Sequence, residues 1–463
     1  PANSLAGGGF AIDNSCRFNV PSGDYLIRSI SSSGSNQKFT ASGWIKRTQF
    51  VASSAIYCSS DASSNHNFRS LFITADDKVQ CAFINGTYTF QVETSALLRD
   101  PSAWYHIVTS VDTTQVTSSD RVKIWINGVL QTSFSTASYP TLNATNNFSG
   151  TDIKQLIASL RDGSTILNGG YLSEIYVLDG INKTAEDFGE FDADSGVWKP
   201  IVYEGTYGTN GFFLEFQDSG ALGTDTSGNG NTFTVNNLTS IDQTTDTPTN
   251  NFATLNPLNS SSGTGFSDGN LTYTYASASW KSSLSTIGVS KGKWYMEVKY
   301  VSGLYGWFGV CSVEQANFFS STYMSDATTN PTGIAYGVYA GLVQTNATTL
   351  FTSSGDSVGT IIGIALDLDN DYIYFSKGGV FVNSGDPTSG ASGTGGFALP
   401  NKIALADYVF GASAYSGTVS SSNYGNAPYT ITTGNADANG YGNFEYAVPG
   451  YLSLCTKNLS EVN

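Results

Sequence analysis

The sequence predicts an all-β protein built from two β-sandwich, jelly-roll-like domains in series, with very little helix. Glycine is abundant and charged residues are scarce, with 50 Gly and only 13% Asp, Glu, Lys and Arg in 463 residues. Helices of soluble proteins are normally rich in Glu, Lys and Arg, so this composition favours strands and turns. Aromatic residues make up 13% of the chain, which argues against a disordered polymer.

The first 200 residues contain short β-rich runs separated by turn residues, a pattern typical of a two-layered β-sandwich. Residues 69–75 and 78–85 are joined by an Ala-Asp-Asp turn, and Asn85-Gly86, a strong hairpin signal, leads into residues 87–93. The other predicted strands cover residues 16–20, 25–30, 38–49, 103–112, 121–131, 154–160 and 170–178.

Four segments of this first part occur in a characteristic order. They read SGWIKR (42–47), WYHIV (104–108), VKIWINGVL (122–130) and GYLSEIYVLDG (170–180). Together they resemble laminin-G-like, concanavalin-type jelly rolls. The resemblance implies a domain over residues 1–200, followed within it by a short helical tail at 182–191.

The chain changes character between residues 201 and 265, which are predicted to form a β-containing connector. Its second half is the polar run TTDTPTNNFATLNPLNSSSGTG. The apolar side chains of its first half need burial, so we expect them to pack as extra strands. These side chains are Phe212, Phe213, Leu214 and Phe216.

The second domain is predicted to span residues 266–463, and its best-defined stretch is 355–380. Residues 360–368 are apolar throughout, which indicates a strand buried on both faces. Asp369-Asn370-Asp371 is a favourable turn, and the aromatic run 372–375 suits a returning strand. The sequence therefore predicts a long hairpin at the centre of a sheet.

Several motifs around this hairpin carry a second resemblance. In order they read GKWYMEV (292–298), GWFGV (306–310), AYG (335–337) and GDSVGTIIGIALDLDNDYIYFSKGG (355–379). This order looks like a SPRY domain, a sandwich used widely as a binding module. At Asn423-Tyr424-Gly425 the chain has Tyr where the pattern usually has Phe, a mild change at a packing position.

The combination of the two halves resembles a narrower group, the tail or fibre proteins of bacteriophages from aquatic bacteria. The connector DTPTNNFATLNPL (246–258) and the ending GYLSLCTKNL (450–459) add to this resemblance. It implies a virion protein, exposed on a tail or fibre, that contacts other virion proteins and a host surface glycan or protein. A homo-oligomer is implied too, with a trimer as the usual form of fibres, although the chain has no heptad repeat. The alternatives are a capsid-decoration or head-fibre protein, a polysaccharide depolymerase, and a secreted cellular lectin.

The formal net charge of -16 disfavours nucleic acid and anionic lipid as partners. No apolar run is long enough to predict membrane insertion, and no secretory signal is visible at the first residues. The five cysteines are widely spaced and form no CxxC motif, so we expect them to be buried small side chains. A bridge between Cys58 and Cys81 is an open alternative.

Catalytic signatures are missing, and the sequence predicts that the protein is not an enzyme. His66 and His106 are the only histidines, and no GxSxG elbow accompanies them. Asp367 and Asp369 share one strand face, but Asp369 falls at the predicted turn. A glycosidase would need two carboxyl groups facing one cleft.

No cofactor and no metal ion are predicted. Residues 225–231, DTSGNGN, offer oxygen atoms at alternating positions and can be read as a calcium loop. The loop lacks the terminal Glu and the flanking helices of an EF-hand. A tight Gly/Asn turn explains the same residues for backbone reasons alone.

The positive signal for function is an aromatic and polar stretch at residues 302–325, SGLYGWFGVCSVEQANFFSSTYMS. The resemblance to SPRY domains implies that loops of this kind carry the ligand surface. Aromatic rings beside Asn and Ser suit a sugar ring, which has an apolar face and polar edges. The alternative is that these rings close the ends of the sandwich. The candidate ligand-binding residues are Tyr305, Trp307, Phe318, Phe319 and Tyr323.

Overall fold

The computed structural model describes two compact units, which divide after Asn250. The described residues are 10–50, 52–61, 66–160, 165–166, 169–261, 263–315, 323–325, 331–403 and 406–462. The fold is nearly all β, and every pair of named strands is antiparallel. Strands are numbered along the chain.

The first unit contains two eight-stranded sheets. The first sheet has at its centre β3 (Lys38–Arg47), which pairs with β8 (Trp104–Asp112) on one side and β15 (Gly170–Asp179) on the other. Beyond them lie β9 (Val122–Ile126), β10 (Val129–Leu130), β1 (Ser15–Phe18), β18 (Phe212–Leu214) and β20 (Gln243–Thr244).

The second sheet of this unit is a meander extended at one end. In spatial order its strands are β11 (Phe134–Ser138), β7 (Thr87–Leu97), β6 (Lys78–Asn85), β5 (His66–Ile73), β4 (Ser54–Ser60), β12 (Lys154–Ile157), β2 (Tyr25–Ser29) and β19 (Thr234–Asn236). Two small ribbons complete the unit: β13 (Ser159–Leu160) with β14 (Thr165–Ile166), and β16 (Gly189–Phe191) with β17 (Trp198–Pro200).

Residues 182–191 do not form the predicted helical tail. Only Ala185–Asp187 makes a single 3₁₀ turn, held at its start by the capping box of Thr184 and Asp187. Residues Gly189–Phe191 continue as a strand because they pair with Trp198–Pro200. The indole of Trp198 then covers the outer face of the first sheet, where it belongs to an apolar cluster with Trp44 and Trp104.

The stretch 201–265 is divided between the two units. Phe212, Phe213, Leu214 and Phe216 are buried in the first unit, as the sequence predicts, and the first three form a strand along β15. Further along, Lys46 and Asp246 form an ion pair of 2.6 Å whose side chains are both fully buried.

The second unit is also a pair of sheets. One sheet has the order β21 (Leu255–Ser260), β24 (Lys281–Ser285), β34 (Tyr408–Tyr415), β26 (Tyr305–Ser312), β27 (Ile334–Gly337), β28 (Leu342–Thr345) and β29 (Thr348–Thr352). The other has β22 (Gly265–Ser267), β23 (Thr272–Tyr275), β35 (Thr418–Asn423), β25 (Lys293–Ser302), β30 (Ile361–Asp367), β31 (Tyr372–Lys377) and β32 (Val380–Phe381), with β33 (Phe397–Ala398) beside β31.

The predicted central hairpin is confirmed. β30 is buried along almost its whole length, and β31 returns along it from a turn in which Asp371 has a φ of 65°. Asp367 fixes this turn, since its carboxylate accepts hydrogen bonds from the backbone N–H groups of Asp369 and Asn370. The hairpin lies inside its sheet, with β25 on the far side of β30.

The end of the chain covers the outer face of the β25–β30–β31 sheet. Phe444, Val448 and Tyr451 pack there against Tyr295 and Tyr374. The α-helix α1 (Thr456–Val462) follows. In the described part of the chain, no helix is long and apolar enough to cross a membrane.

Candidate functional site

The outer face of the β26 sheet carries a group of aromatic rings at the end where β26 begins. Side chains alternate along a strand, so Phe308 and Val310 point into the core while Tyr305 and Trp307 point outwards. We call this group the aromatic patch. It consists of Trp280, Tyr305, Trp307, Tyr323, Tyr339 and Tyr415.

Small residues on both neighbouring strands make room for the indole of Trp307. Trp307 lies opposite Gly337 on β27 and opposite Ser413 on β34. A Cβ atom at position 337 would lie 2.9 Å from three ring carbons of Trp307. The Ser413 hydroxyl is hydrogen-bonded to Ser282 at 2.7 Å, which keeps it within the sheet surface.

The rings of the patch form one connected network. Trp307 and Tyr323 are stacked with centroids 5.4 Å apart and an interplanar angle of 21°. Trp280 joins Tyr323 at 5.2 Å to Tyr415 at 5.3 Å. Tyr305 contacts Tyr415 edge-on at 5.6 Å. Ring pairs at these separations hold each other's orientation.

One side of the patch is open to solvent. Tyr339 packs on Tyr305 with centroids 4.9 Å apart, yet 60% of its surface is exposed. The adjacent Leu304 is 59% exposed. The other five rings are half-buried. An exposed ring that continues into half-buried rings is a candidate interaction surface, unlike a single scattered apolar residue.

Hydroxyl groups and backbone atoms lie along one edge of the patch. Thr418 accepts a hydrogen bond at its Oγ1 from the backbone N–H of Tyr305 at 3.1 Å, and this hydroxyl lies 2.8 Å from the carbonyl of Tyr415. Beside Trp280, the hydroxyls of Ser279 and Tyr275 are 2.9 Å apart. Thr418 is fully buried, so its hydroxyl serves the fold, whereas Ser279 beside Trp280 is only half-buried.

The structure brings three of the five predicted residues together: Tyr305, Trp307 and Tyr323 all belong to the patch. Phe318 and Phe319 lie outside the described residues. Three rings of the patch did not figure among the predicted residues, because they come from distant parts of the sequence. These are Trp280, Tyr339 and Tyr415.

Trp307 also has a packing role. It lies against a small apolar cluster on the outer face of the sheet, which includes Leu284, Met324 and Val409. The segment at Met324 crosses this cluster, and its backbone N–H donates to Ser413 Oγ at 3.1 Å. Trp307 therefore anchors the patch, whereas Tyr339 presents its ring to solvent.

His106 is used inside the first unit. Trp198 Nε1 donates to His106 Nδ1 at 3.0 Å, so the ring proton is on Nε2, which donates to Ser42 Oγ at 2.8 Å. This direction is the reverse of what a general base needs to activate a serine. Burial lowers the pKa of His106 to about 3. A packing role for His106 fits all of these contacts.

The acidic residues considered for catalysis are also tied to the fold. Asp367 is fully buried, accepts the backbone N–H of Asp369 at 3.1 Å, and forms an ion pair with Lys293 at 3.1 Å. Asp369 accepts the backbone N–H of Gly292 at 2.8 Å. Both side chains shape the hairpin turn and do not face a common cleft.

The loop 225–231 is held by its own aspartate. Asp225 Oδ1 accepts the backbone N–H groups of Phe213 and Ser227, and Oδ2 accepts that of Asn231 at 2.6 Å. The carboxylate oxygens are thus used in fixing the turn. Within the described residues, no group of three or more His, Cys, Asp or Glu side chains is placed to hold a metal ion.

All five cysteines are buried thiols outside any disulfide. Cys58 and Cys81 face different partners, Leu156 and Val92, in the second sheet of the first unit, so no bridge joins them. Burial raises the pKa of the Cys58 thiol to about 12. A thiol held neutral in this way is a poor nucleophile.

Comparison with known proteins gives two kinds of similarity. The SPRY domain of human HERC1 aligns with 36% of this chain and 96% of its own, at 17% identity and a TM-score of 0.29. The TRIM65 PSpry domain aligns with 37% of this chain and 90% of its own, at 14% identity and a TM-score of 0.25. No curated protein matches the sequence.

The second similarity is to a sequence family. Residues 22–169 match the concanavalin A-like lectin/glucanases superfamily. The matched residues run from β2 to the segment before β15 and include strands of both sheets of the first unit. The first unit therefore contains a concanavalin A-like, jelly-roll lectin fold, in agreement with the resemblance seen in the sequence.

Proposed function

We propose that this protein is a non-enzymatic binding protein that recognises a cell-surface glycan through the aromatic patch. We further propose that it is displayed on a bacteriophage virion, as a tail-fibre or receptor-binding component. The lectin-like fold of the first unit supports a binding role, although the matched family includes glucanases. Fold alone does not establish function, so the proposal depends on the site.

The observation that carries the proposal is the exposed ring of Tyr339, held on Tyr305 and continuous with Trp280 and Tyr415. A pyranose has one apolar C–H face and a rim of hydroxyls. Rings supply a surface for the apolar face, and a neighbouring hydroxyl such as that of the half-buried Ser279 supplies a hydrogen bond to the rim. The patch has both components on one end of one sheet.

A non-enzymatic role is supported by the structural contacts that the candidate catalytic groups already make. His106 is buried between Ser42 and Trp198, and Asp367 is buried in a turn. A polysaccharide depolymerase would need two free carboxyl groups across a cleft, or an equivalent pair. The aromatic patch itself is built from neutral side chains.

The placement on a virion is supported by two stretches that resemble bacteriophage tail or fibre proteins. These are the connector at residues 246–258 and the ending at residues 450–459. These two stretches lie side by side in the second unit: the N–H of Ala253 donates to the carbonyl of Leu454 at 2.9 Å. Phe252 and Cys455 form an isolated bridge beside them. This contact supports their being parts of one structural motif.

On a particle, single weak sites act together. Copies of the protein displayed by a homo-oligomer, in contact with other virion proteins, would convert a modest affinity for one glycan into avidity. A net charge of -16 suits an exposed, soluble surface protein. A head-fibre or decoration protein is the nearest alternative location.

The test is binding of the fluorescently labelled protein to a glycan array and to whole aquatic bacteria before and after glycan stripping. Tyr339→Ala and Trp280→Ala should each reduce binding about 5- to 30-fold, as for an aromatic hot spot. Tyr88→Ala is the matched control, because Tyr88 is a 48% exposed tyrosine of the first unit.

Unchanged binding in both patch variants would contradict the proposed site. Binding that survives glycan stripping would show a protein receptor instead. Release of reducing ends from host polysaccharide would show a depolymerase. Antibody labelling of purified particles tests the location, and label on heads instead of tails would identify a decoration or head-fibre protein.

A further inference from the structure

The first unit contains a cavity at the end of its second sheet, and its chemistry differs from that of the aromatic patch. The cavity has a volume of about 570 Å³ and lies between β2, β12 and the loop before β19. Two cationic residues, Arg28 and Lys154, line it. They stand out in a chain with 21 Lys and Arg against 37 Asp and Glu. We call this cavity the Arg28 pocket.

The guanidinium of Arg28 is positioned by neutral groups. It donates to Gln155 Oε1 and Asn231 Oδ1, and it lies 3.4 Å from Asn210 Oδ1. Within the described residues, none of its hydrogen-bond acceptors is a carboxylate. The side chain is therefore oriented by the fold while its charge is not cancelled by a direct ion pair.

Asp225 and Asp179 interact electrostatically with Arg28, and both carboxylates accept hydrogen bonds from the backbone. Asp225 accepts the N–H groups of Phe213 and Asn231. Asp179 accepts the N–H groups of Ser35 and Asn210 at 2.8 and 3.0 Å. These carboxylates hold loops around the pocket, so the guanidinium keeps hydrogen-bonding capacity for an anion.

The rest of the lining is matched to a sugar better than to a bare ion. Exposed hydroxyl groups of Ser29, Ser31, Thr232 and Thr234 surround the cavity, and half-buried Ile27 adds an apolar surface. A cavity of about 570 Å³ is far larger than one inorganic anion needs and is within the range of small-molecule sites.

We propose that the Arg28 pocket binds the carboxylate of an acidic sugar, such as a uronic acid, with the guanidinium as the anion contact. This site shares no residue with the aromatic patch, so its test does not depend on the outcome for the proposed function. It would give the protein a preference for acidic over neutral surface polysaccharides.

The probe is glucuronate, followed by ¹⁵N-resolved NMR titration of the full chain, with glucuronamide as the neutral analogue and sulfate as the bare anion. Glucuronate should shift the amide signals of Gly230 and Asn231, and glucuronamide should bind about tenfold more weakly, because a charge-assisted hydrogen bond is lost. Raising the salt concentration to about 0.5 M should weaken glucuronate binding.

Two variants locate the site. Arg28→Gln should abolish the glucuronate shifts, and Lys154→Gln should weaken them several-fold. Lys154→Gln changes the other cationic lining residue and leaves the Arg28 side chain in place, so it keeps the test valid if Arg28→Gln fails to fold. Trp280→Ala should leave glucuronate binding unchanged.

Equal binding of glucuronate and glucuronamide would overturn the proposal, as would an absence of shifts with glucuronate at millimolar concentration. Sulfate binding as tight as glucuronate binding would also overturn it, since the pocket would then recognise only a bare anion. Loss of glucuronate binding in Trp280→Ala would show that the acidic sugar binds at the aromatic patch and would overturn its assignment to the Arg28 pocket.

Discussion

Trp307 lies directly opposite Gly337, and the indole occupies the space that a side chain at position 337 would fill. Gly337 does not have a left-handed backbone conformation, so an alanine there meets the indole ring without backbone strain. The position of the Trp307 ring therefore depends on the absence of a single methyl group. Replacing Gly337 by alanine therefore tests how the patch is packed.

Gly337→Ala should tilt the Trp307 ring away from Tyr323 and weaken glycan binding about tenfold, while overpacking lowers the stability of the second unit by about 1–3 kcal/mol. Near-UV circular dichroism and tryptophan fluorescence report the ring, and the glycan array reports binding. Gly220→Ala is the control, because the nearest heavy atom to its new Cβ is a carboxylate oxygen of Asp218 at 3.3 Å. An unchanged near-UV spectrum would contradict the packing described.

His106 should make the stability of the first unit depend on pH below neutrality. Burial lowers its pKa from 6.5 to about 3, so between these pH values the unfolded chain binds one more proton than the folded chain. Stability is then lost as the pH falls from about 6.5 towards 3, by up to about 1.4 kcal/mol per pH unit from this group. His106→Gln should remove that contribution in urea unfolding measured between pH 4 and 7. An identical pH dependence of stability in His106→Gln and in the parent protein would contradict this role of His106.

Glu174 should make the stability of the first unit fall as the pH rises, which is the opposite of the effect of His106. Burial, opposed by a hydrogen bond with Tyr176, raises the pKa of this carboxyl from 4.5 to about 8. The folded chain holds the proton that the unfolded chain releases, so stability falls as the pH rises between about 4.5 and 8. Glu174→Gln should unfold at a higher temperature than the parent at pH 8, and the difference should vanish near pH 4. The exposed Glu186→Gln serves as control, and the same shift there would argue against burial as the cause.

Glu297 should hold the end of the chain on its sheet. Its carboxylate is fully buried and accepts the backbone N–H groups of Glu445 and Tyr446 and the amide of Asn423. Glu297→Ala leaves these donors without their acceptor, and we expect a loss of about 3 kcal/mol or more in the second unit. Limited proteolysis should then cut within residues 426–455 faster than in the parent protein. Equal cleavage rates would show that apolar packing alone retains the segment.

The parts of the fold that sequence alone predicts are those specified by neighbouring residues. The hairpin of β30 and β31 is specified by an apolar run, a turn and an aromatic run that follow one another directly. The strand at Phe212–Leu214 follows from the need to bury its rings. The helical tail that the sequence predicts at 182–191 is wrong, because the pairing of Gly189–Phe191 with Trp198–Pro200 is tertiary and leaves no periodic signal.

The candidate site shows the same limit. Tyr305 and Trp307 alternate with core residues on one strand, so their outward direction is readable in the sequence. Tyr415 joins them only because β34 pairs with β26 in the register that sets Tyr415 opposite Tyr305. Trp280 reaches the same place through the neighbouring β24. Such partners are fixed by strand register, which local patterns do not determine.

The buried pair of Lys46 and Asp246 has a consequence for how this protein can be divided and recombined. Asp246 also accepts the indole N–H of Trp104 at 3.0 Å, so β3 and β8 of the first unit both depend on a residue far beyond the matched lectin region. A gene fusion that transplants the lectin fold but stops at residue 200 would lack the Asp246 carboxylate. The ammonium group of Lys46 would then be buried in the protein interior without its ion-pair partner. Exchange of this module between genes is therefore constrained to breakpoints beyond that aspartate, close to Asn250.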